Sequence, residues 1–125
     1  MTQEEKELLF KNLSARLPYH VKVKVWLEDW TTEEGVLDLE HNYADVLQDA
    51  FYYDKIKGIK PYLRPISSMT DEERKEYKRF VAFSGSPGGA AIFIDWLNAN
   101  HFDYLNLLEN GLAIEVNEEN NPYKK

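Results

Sequence analysis

Asp95, Asn98 and His101 follow one another at intervals of three residues. One face of a continuous helix would therefore present a carboxylate, an amide and an imidazole together. With Asp103 two residues further on, the set contains the donor types that ligate a metal ion or orient a water. A small metal-dependent or hydrolytic enzyme using Asp95, His101 and Asp103 is the catalytic alternative this block supports. The plainer reading is architectural: His101 and Asp103 shape a break between two helices, and Trp96 and Phe102 enter the core. That reading is favoured, because one histidine without clustered partners rarely builds a site.

Other chemistry-bearing groups are weaker. Ser67-Ser68 lacks the Gly-x-Ser-x-Gly elbow that exposes a nucleophile, and fits a turn feeding the helix that starts after Thr70. Ser84-Gly85-Ser86-Pro87-Gly88-Gly89 precedes a helix, as phosphate loops do. It has no Lys-Ser/Thr pair, so it reads as a connector. Tyr52, Tyr53, Lys55, Lys57, Lys60, Tyr62 and Arg64 interleave bases with aromatics in the manner of single-strand binders. The acidic segment beside them would repel phosphate, so nucleic acid is not the expected partner.

That acidic segment is the main functional candidate. Glu28, Asp29, Glu33, Glu34, Asp38, Glu40, Asp45, Asp49 and Asp54 occur with no Lys or Arg among them. These nine account for the net charge of -7, since the rest of the chain has 13 acids against 15 bases. A carboxylate-lined surface can imitate nucleic-acid phosphates or fill a basic groove on a protein. Trp26 and Trp30 flank the run, and exposed aromatics anchor interfaces. Trp26, Trp30, Glu33, Glu34, Asp38 and Glu40 are the candidate interface. The plainer alternative is a solvated hairpin face.

The remaining composition narrows the classes. Without cysteine there is no disulfide framework, thiolate metal site or thiol catalysis. No apolar run reaches the ~18 residues of a membrane span, and Thr2–Glu7 is too acidic for a signal-peptide start. A cytoplasmic single domain of 125 residues is expected, with no cofactor and with its oligomeric state left open.

The elements that must position these residues follow from periodicity. Thr2 and Glu5 form a capping box, and Leu9, Leu13 and Leu17 continue a helical stripe over 3–16. His20–Leu27 alternates, with Val21, Val23, Val25 and Leu27 inward, as a half-buried strand does. Glu28–Gly35 reads as a hairpin loop and Val36–Glu40 as the return strand. Tyr43–Ile56 is open between a short helix, which Val46, Leu47, Ala50, Phe51 and Tyr53 would suit, and strands, which the β preference of Phe51-Tyr52-Tyr53 and the hairpin's need for partners favour. Pro61 and Pro65 keep Lys60–Ser68 extended. Thr70 and Glu73 repeat the capping box for a helix over 71–83, with Tyr77, Phe80 and Val81 inward. Ala91–Asn100 is a second helix with Ile92, Trp96 and Ala99 on one face. Asp103–Glu109 is a further helical turn, stopped by Asn110-Gly111. Leu112–Val116 is a short strand, and 117–125 is expected to fray.

Three strings also carry a likeness. They are Thr2–Leu9 through Ala15-Arg16-Leu17-Pro18-Tyr19, Lys60-Pro61-Tyr62-Leu63-Arg64-Pro65-Ile66-Ser67-Ser68-Met69-Thr70, and Asp95–Ala99 with His101-Phe102-Asp103-Tyr104 and Gly111-Leu112-Ala113. Through them the chain resembles a family of short uncharacterised proteins of gut anaerobes, their phages and mobile elements. It departs at His20, where such proteins commonly have Gly, and at Asn100, where a second His is common. The resemblance implies a shared small fold and no known activity, so no catalytic, metal or cofactor residue is carried over.

The expectation is an α+β domain: an N-terminal helix on a small, mostly antiparallel sheet, either open or curved into a partial barrel, then C-terminal helices and a terminal strand. Its expected function is that of a non-enzymatic interaction module of a phage or mobile element, binding a host or phage protein through its acidic face.

Overall fold

The computed structural model describes residues 2–37 and 57–123. Helix α1 covers Gln3–Ala15, and both arms of the Thr2/Glu5 capping box are formed. A 3-10 turn, Leu17–Tyr19, contains Pro18 and leads through His20, at φ 55, into strand β1, Val21–Trp26. Strand β2 is Thr32–Leu37 and strand β3 is Gly58–Leu63. Helices α2 and α3 cover Asp71–Phe83 and Pro87–Ala99, and strand β4 is Ile114–Glu115.

The fold is α+β, and its sheet is open rather than closed into a barrel, in the order β2-β1-β3-β4. β1 pairs antiparallel with β2 and β3, and β4 pairs parallel with β3. The period-2 pattern of β1 sends Val21, Val23 and Val25 to one face. There they pack with Leu9 and Leu13 of α1, with Leu37, Ile59 and Leu63, and with Leu107 and Leu112. A second cluster joins Met69, Leu97 and Phe102, with Tyr77, Phe93, Trp96 and Tyr104 around them. Rings continue that packing between α2 and α3, Tyr77 edge-on to Phe93 at 5.4 Å and Phe80 against Trp96 at 5.4 Å.

Several expectations need correction. The hairpin loop is shorter than Glu28–Gly35, because pairing begins at Thr32 opposite Trp26. Backbone bonds from Leu27 N to Thr31 O and from Trp30 N to Leu27 O close the turn early, and Glu34 falls opposite Lys24, a favourable cross-strand pair. α3 starts at Pro87, not Ala91: Ser86 caps it through Gly89 N, and Pro87 needs no amide partner in the first turn. Its inward residues are Phe93, Trp96 and Leu97, while Ile92 and Ala99 face outward, as does Val81 on α2.

Residues 103–109 are turns rather than a helix. The Asp103 carboxylate accepts from the amides of Leu105, Leu107 and Leu108, and this local capping replaces the helical ladder. Gly111 takes the left-handed conformation, φ 72. Lys60–Ser68 is extended in its first half, within the interior strand β3, whereas Ile66–Ser68 is a 3-10 turn. β4 reaches only Tyr62 and Leu63, so at Pro61 the strand is paired, among the described residues, with β1 alone. The strand assignment for Tyr43–Ile56, and Leu39 of the return strand, lie outside the described residues.

Candidate functional site

The Asp95–Asp103 block is not brought together. A shared face requires the helix to continue through His101, but α3 ends at Ala99 and His101 has φ 62. Asp95 stays on the exposed side of α3 and accepts a hydrogen bond from the Tyr19 hydroxyl, whose pKa burial and this carboxylate raise. Asn98 is buried and its Oδ1 accepts from the Tyr104 hydroxyl at 2.8 Å. Both Asp103 oxygens are committed to backbone amides. Among the described residues no group of three His, Asp or Glu side chains is placed to hold a metal ion, and no helix is long and apolar enough to cross a membrane.

These residues instead border a polar seam between the two hydrophobic clusters. Arg16, at the end of α1, is completely buried. Its Nε donates to Asn12 Oδ1 at 2.7 Å and its Nη2 to Phe102 O at 2.6 Å, and its guanidinium lies 5.2 Å from the Tyr104 ring centroid. Burial lowers its pKa. On the other side of Phe102, Arg64 covers the ring at 4.3 Å and grips Glu73 with two bonds of 2.9 and 2.7 Å. Arg64 thereby holds Glu73 below the usual carboxylate range. Three distant segments thus meet in space: Arg16 from 2–19, Arg64 from 60–70, and Phe102 and Tyr104 from 95–113. Sequence reasoning missed Arg16, although Leu9, Asn12, Leu13 and Arg16 have the i, i+3, i+4, i+7 spacing of one buried face.

His101 belongs to the same seam. Burial, then the positive charges of Arg16, Arg64, His20 and Lys22, push its pKa down to about 4 from 6.5. The folded chain keeps this imidazole neutral while the unfolded chain protonates it. Stability is therefore complete above pH 6.5 and is lost as pH falls toward 4, by at most about 3 kcal/mol. Urea unfolding of the wild type and of His101→Asn, which tolerates the left-handed backbone, should diverge in slope across that window. Parallel curves would show that His101 does not carry the dependence.

The candidate interface is divided. Trp26 lies on the outer sheet face beneath Lys24 and Lys60, whose amines are 5.6 and 5.7 Å from its ring. Successive strand residues alternate faces, so Glu34 shares the face of Trp26 and Glu33 points the other way. Glu34 accepts from the Tyr62 hydroxyl at 2.7 Å, and burial with this carboxylate pushes the phenol up to about 12. Asp38 and Glu40 lie outside the described residues.

Trp30 differs from all of these. It is 67% exposed and sits at φ 66 in the turn between β1 and β2. Asp29 braces that turn, its carboxylate accepting from Thr31 N at 3.1 Å and from Thr31 Oγ1 at 2.6 Å. These bonds lower the Asp29 pKa. The rigid turn therefore displays an indole in a strained conformation, with Glu28, Asp29 and Glu33 exposed around it. Compared with protein-family models, curated proteins and solved structures, the chain matches none.

Proposed function

We propose that this protein is a non-enzymatic interaction module that binds a protein partner through the acidic tip of its β1–β2 hairpin, with Trp30 as the anchor. The observation that carries this reading is the conformation of Trp30. A left-handed backbone costs a non-glycine residue about 1 kcal/mol, and here it holds a large aromatic in solvent instead of in the core. The partner would offer an apolar pocket for the indole rimmed by basic residues facing Glu28, Asp29 and Glu33. The resemblance to proteins of phages and mobile elements makes a host or phage protein the expected partner class.

Trp30→Ala should weaken partner binding about 30-fold, the loss of a 2 kcal/mol anchor. Charge reversal at Glu28 and Glu33, both exposed, should slow association and reduce its salt dependence. Trp30→Gly separates display from structure: it should weaken binding at least as much as Trp30→Ala yet leave the melting temperature unchanged or raise stability by up to about 1 kcal/mol. Wild type, Trp30→Ala and the charge-reversed chain, used as baits against one host lysate, must recover different partners. Identical recovery by all three rejects this interface.

A further inference from the structure

The β1–β3 ladder runs from Trp26↔Gly58 to Val23↔Pro61, so the next pair in register is Lys22 with Tyr62. At that pair a phenol mediates between the strands. The Tyr123 hydroxyl accepts from Lys22 N at 2.9 Å and donates to Tyr62 O at 2.7 Å. Its ring lies flat on the His101 imidazole, 3.7 Å between centroids and 9° between planes. One amide donor, one carbonyl acceptor and one aromatic face make a slot that selects a planar ring bearing a hydroxyl.

The segment that delivers this ring is otherwise lightly held. Asn117–Asn121 is exposed. Its shape comes from local bonds, Asn117 Oδ1 accepting from Glu119 N and Asn120 N, and Asn121 Oδ1 from Tyr123 N. A cavity lies on either side. One, of about 410 Å³, is lined by Lys22, Glu34, Tyr62 and Glu119. The other, of about 620 Å³, is lined by Arg64, Asn100, His101 and Glu118. Asn121 borders both, so the two cavities flank the segment, and they would join as one trough if it lifted away. Each cavity lining contains an acid of the segment and a base of the body: Glu119 with Lys22, where Glu34 also lies, and Glu118 with Arg64, which Glu73 already pairs.

We infer that this trough is a binding site for an extended protein segment carrying a tyrosine preceded by acidic residues, and that Asn117–Tyr123 is its resident competitor. The chain's own Glu118-Glu119-Asn120-Asn121-Pro122-Tyr123 states the ligand chemistry: a phenol for the strand gap and carboxylates for Lys22 and Arg64. A tethered occupant acts at an effective concentration near millimolar. An external segment therefore binds weakly to the intact chain and far better once the resident ring is removed.

The probe is a fluorescein-labelled, end-blocked peptide of sequence Glu-Glu-Asn-Asn-Pro-Tyr, titrated by anisotropy with the full chain. The Tyr123→Ala chain should bind it at least tenfold more tightly than wild type. The same peptide ending in Phe should bind the variant about tenfold more weakly, because the Lys22 amide and Tyr62 carbonyl go unpaired. Equal affinity of wild type and Tyr123→Ala overturns the proposal, as does indifference to the hydroxyl. Should Tyr123→Ala lack a cooperative melt, Tyr123→Phe decides in its place. It keeps the stacked ring and loses both bonds of the hydroxyl; at least threefold tighter peptide binding than wild type supports the site, and equal binding refutes it.

Discussion

Arg16→Ala should lose about 4 kcal/mol of stability, a large share of what a domain of this size possesses. Three contributions set that figure. The side chain is fully buried, so truncation opens a cavity, and large-to-alanine changes in cores lose roughly 2–5 kcal/mol. Two acceptors, Asn12 Oδ1 and Phe102 O, lose their donor, at about 1–3 kcal/mol for each group left unpaired. Removal of a buried cation returns part of this, because desolvation already works against the guanidinium. Arg16→Met tests the balance, since it keeps the volume and discards the charge; it should lose less than half as much as alanine. Arg16→Lys should fall between them, because an ammonium cannot reach both acceptors in the planar fork and still lie over Tyr104. Urea unfolding of the three variants measures the order. An alanine chain within 1 kcal/mol of wild type would show that the guanidinium is not tying the two clusters together.

Gly89→Ala and Gly88→Ala, one residue apart, should have opposite signs. A Cβ at Gly89 would lie 2.0 Å from Phe83 O and 2.8 Å from Phe83 C. Both belong to the backbone at the end of α2, which cannot yield as a side-chain tip does. α3 must move away from α2, disturbing the contacts of Phe93 and Trp96 with Tyr77 and Phe80. We expect a loss of about 2–3 kcal/mol after the small gain in helix propensity is counted. Gly88 meets nothing within 4 Å, so alanine there should raise stability by a few tenths to about 1 kcal/mol. Thermal melts of the two variants give the comparison, and matching shifts in one direction would disprove the close approach at Gly89.

The parts of this fold that were legible in the sequence were governed by short-range rules. Both capping boxes formed, since Thr2 with Glu5 and Thr70 with Glu73 need only three residues to specify them. The alternation of Val21, Val23 and Val25 fixed the buried face of β1. Residues 103–109 misled because their apolar spacing suits a helix while Asp103 offers the backbone another partner. The candidate site failed to assemble for a related reason: its spacing counted on a helix that His101 ends. Arg16 and Tyr123 were the hardest to foresee, because their partners lie 86 and 101 residues away and neither residue type announces burial. Trp30 was legible as an exposed anchor candidate, whereas its left-handed backbone was not, since a tryptophan there breaks the usual preference for glycine or asparagine.

The bond between Arg16 and Phe102 also orders events during synthesis. α1 and the β1–β2 hairpin are local and can form within microseconds. The carbonyl that receives Arg16 is translated 86 residues later, roughly 4–17 s at ordinary elongation rates. Through that interval the guanidinium has only the local acceptor Asn12 Oδ1, and seating α1 on the sheet would strip the hydration of Nη2 before Phe102 O exists to replace it. We therefore expect Leu9 and Leu13 to seat on the sheet only once the segment around Phe102 is available. A chain truncated before Phe102 should then show proteolysis within α1 that the full chain resists; equal resistance of the two would show that this bond does not set the order.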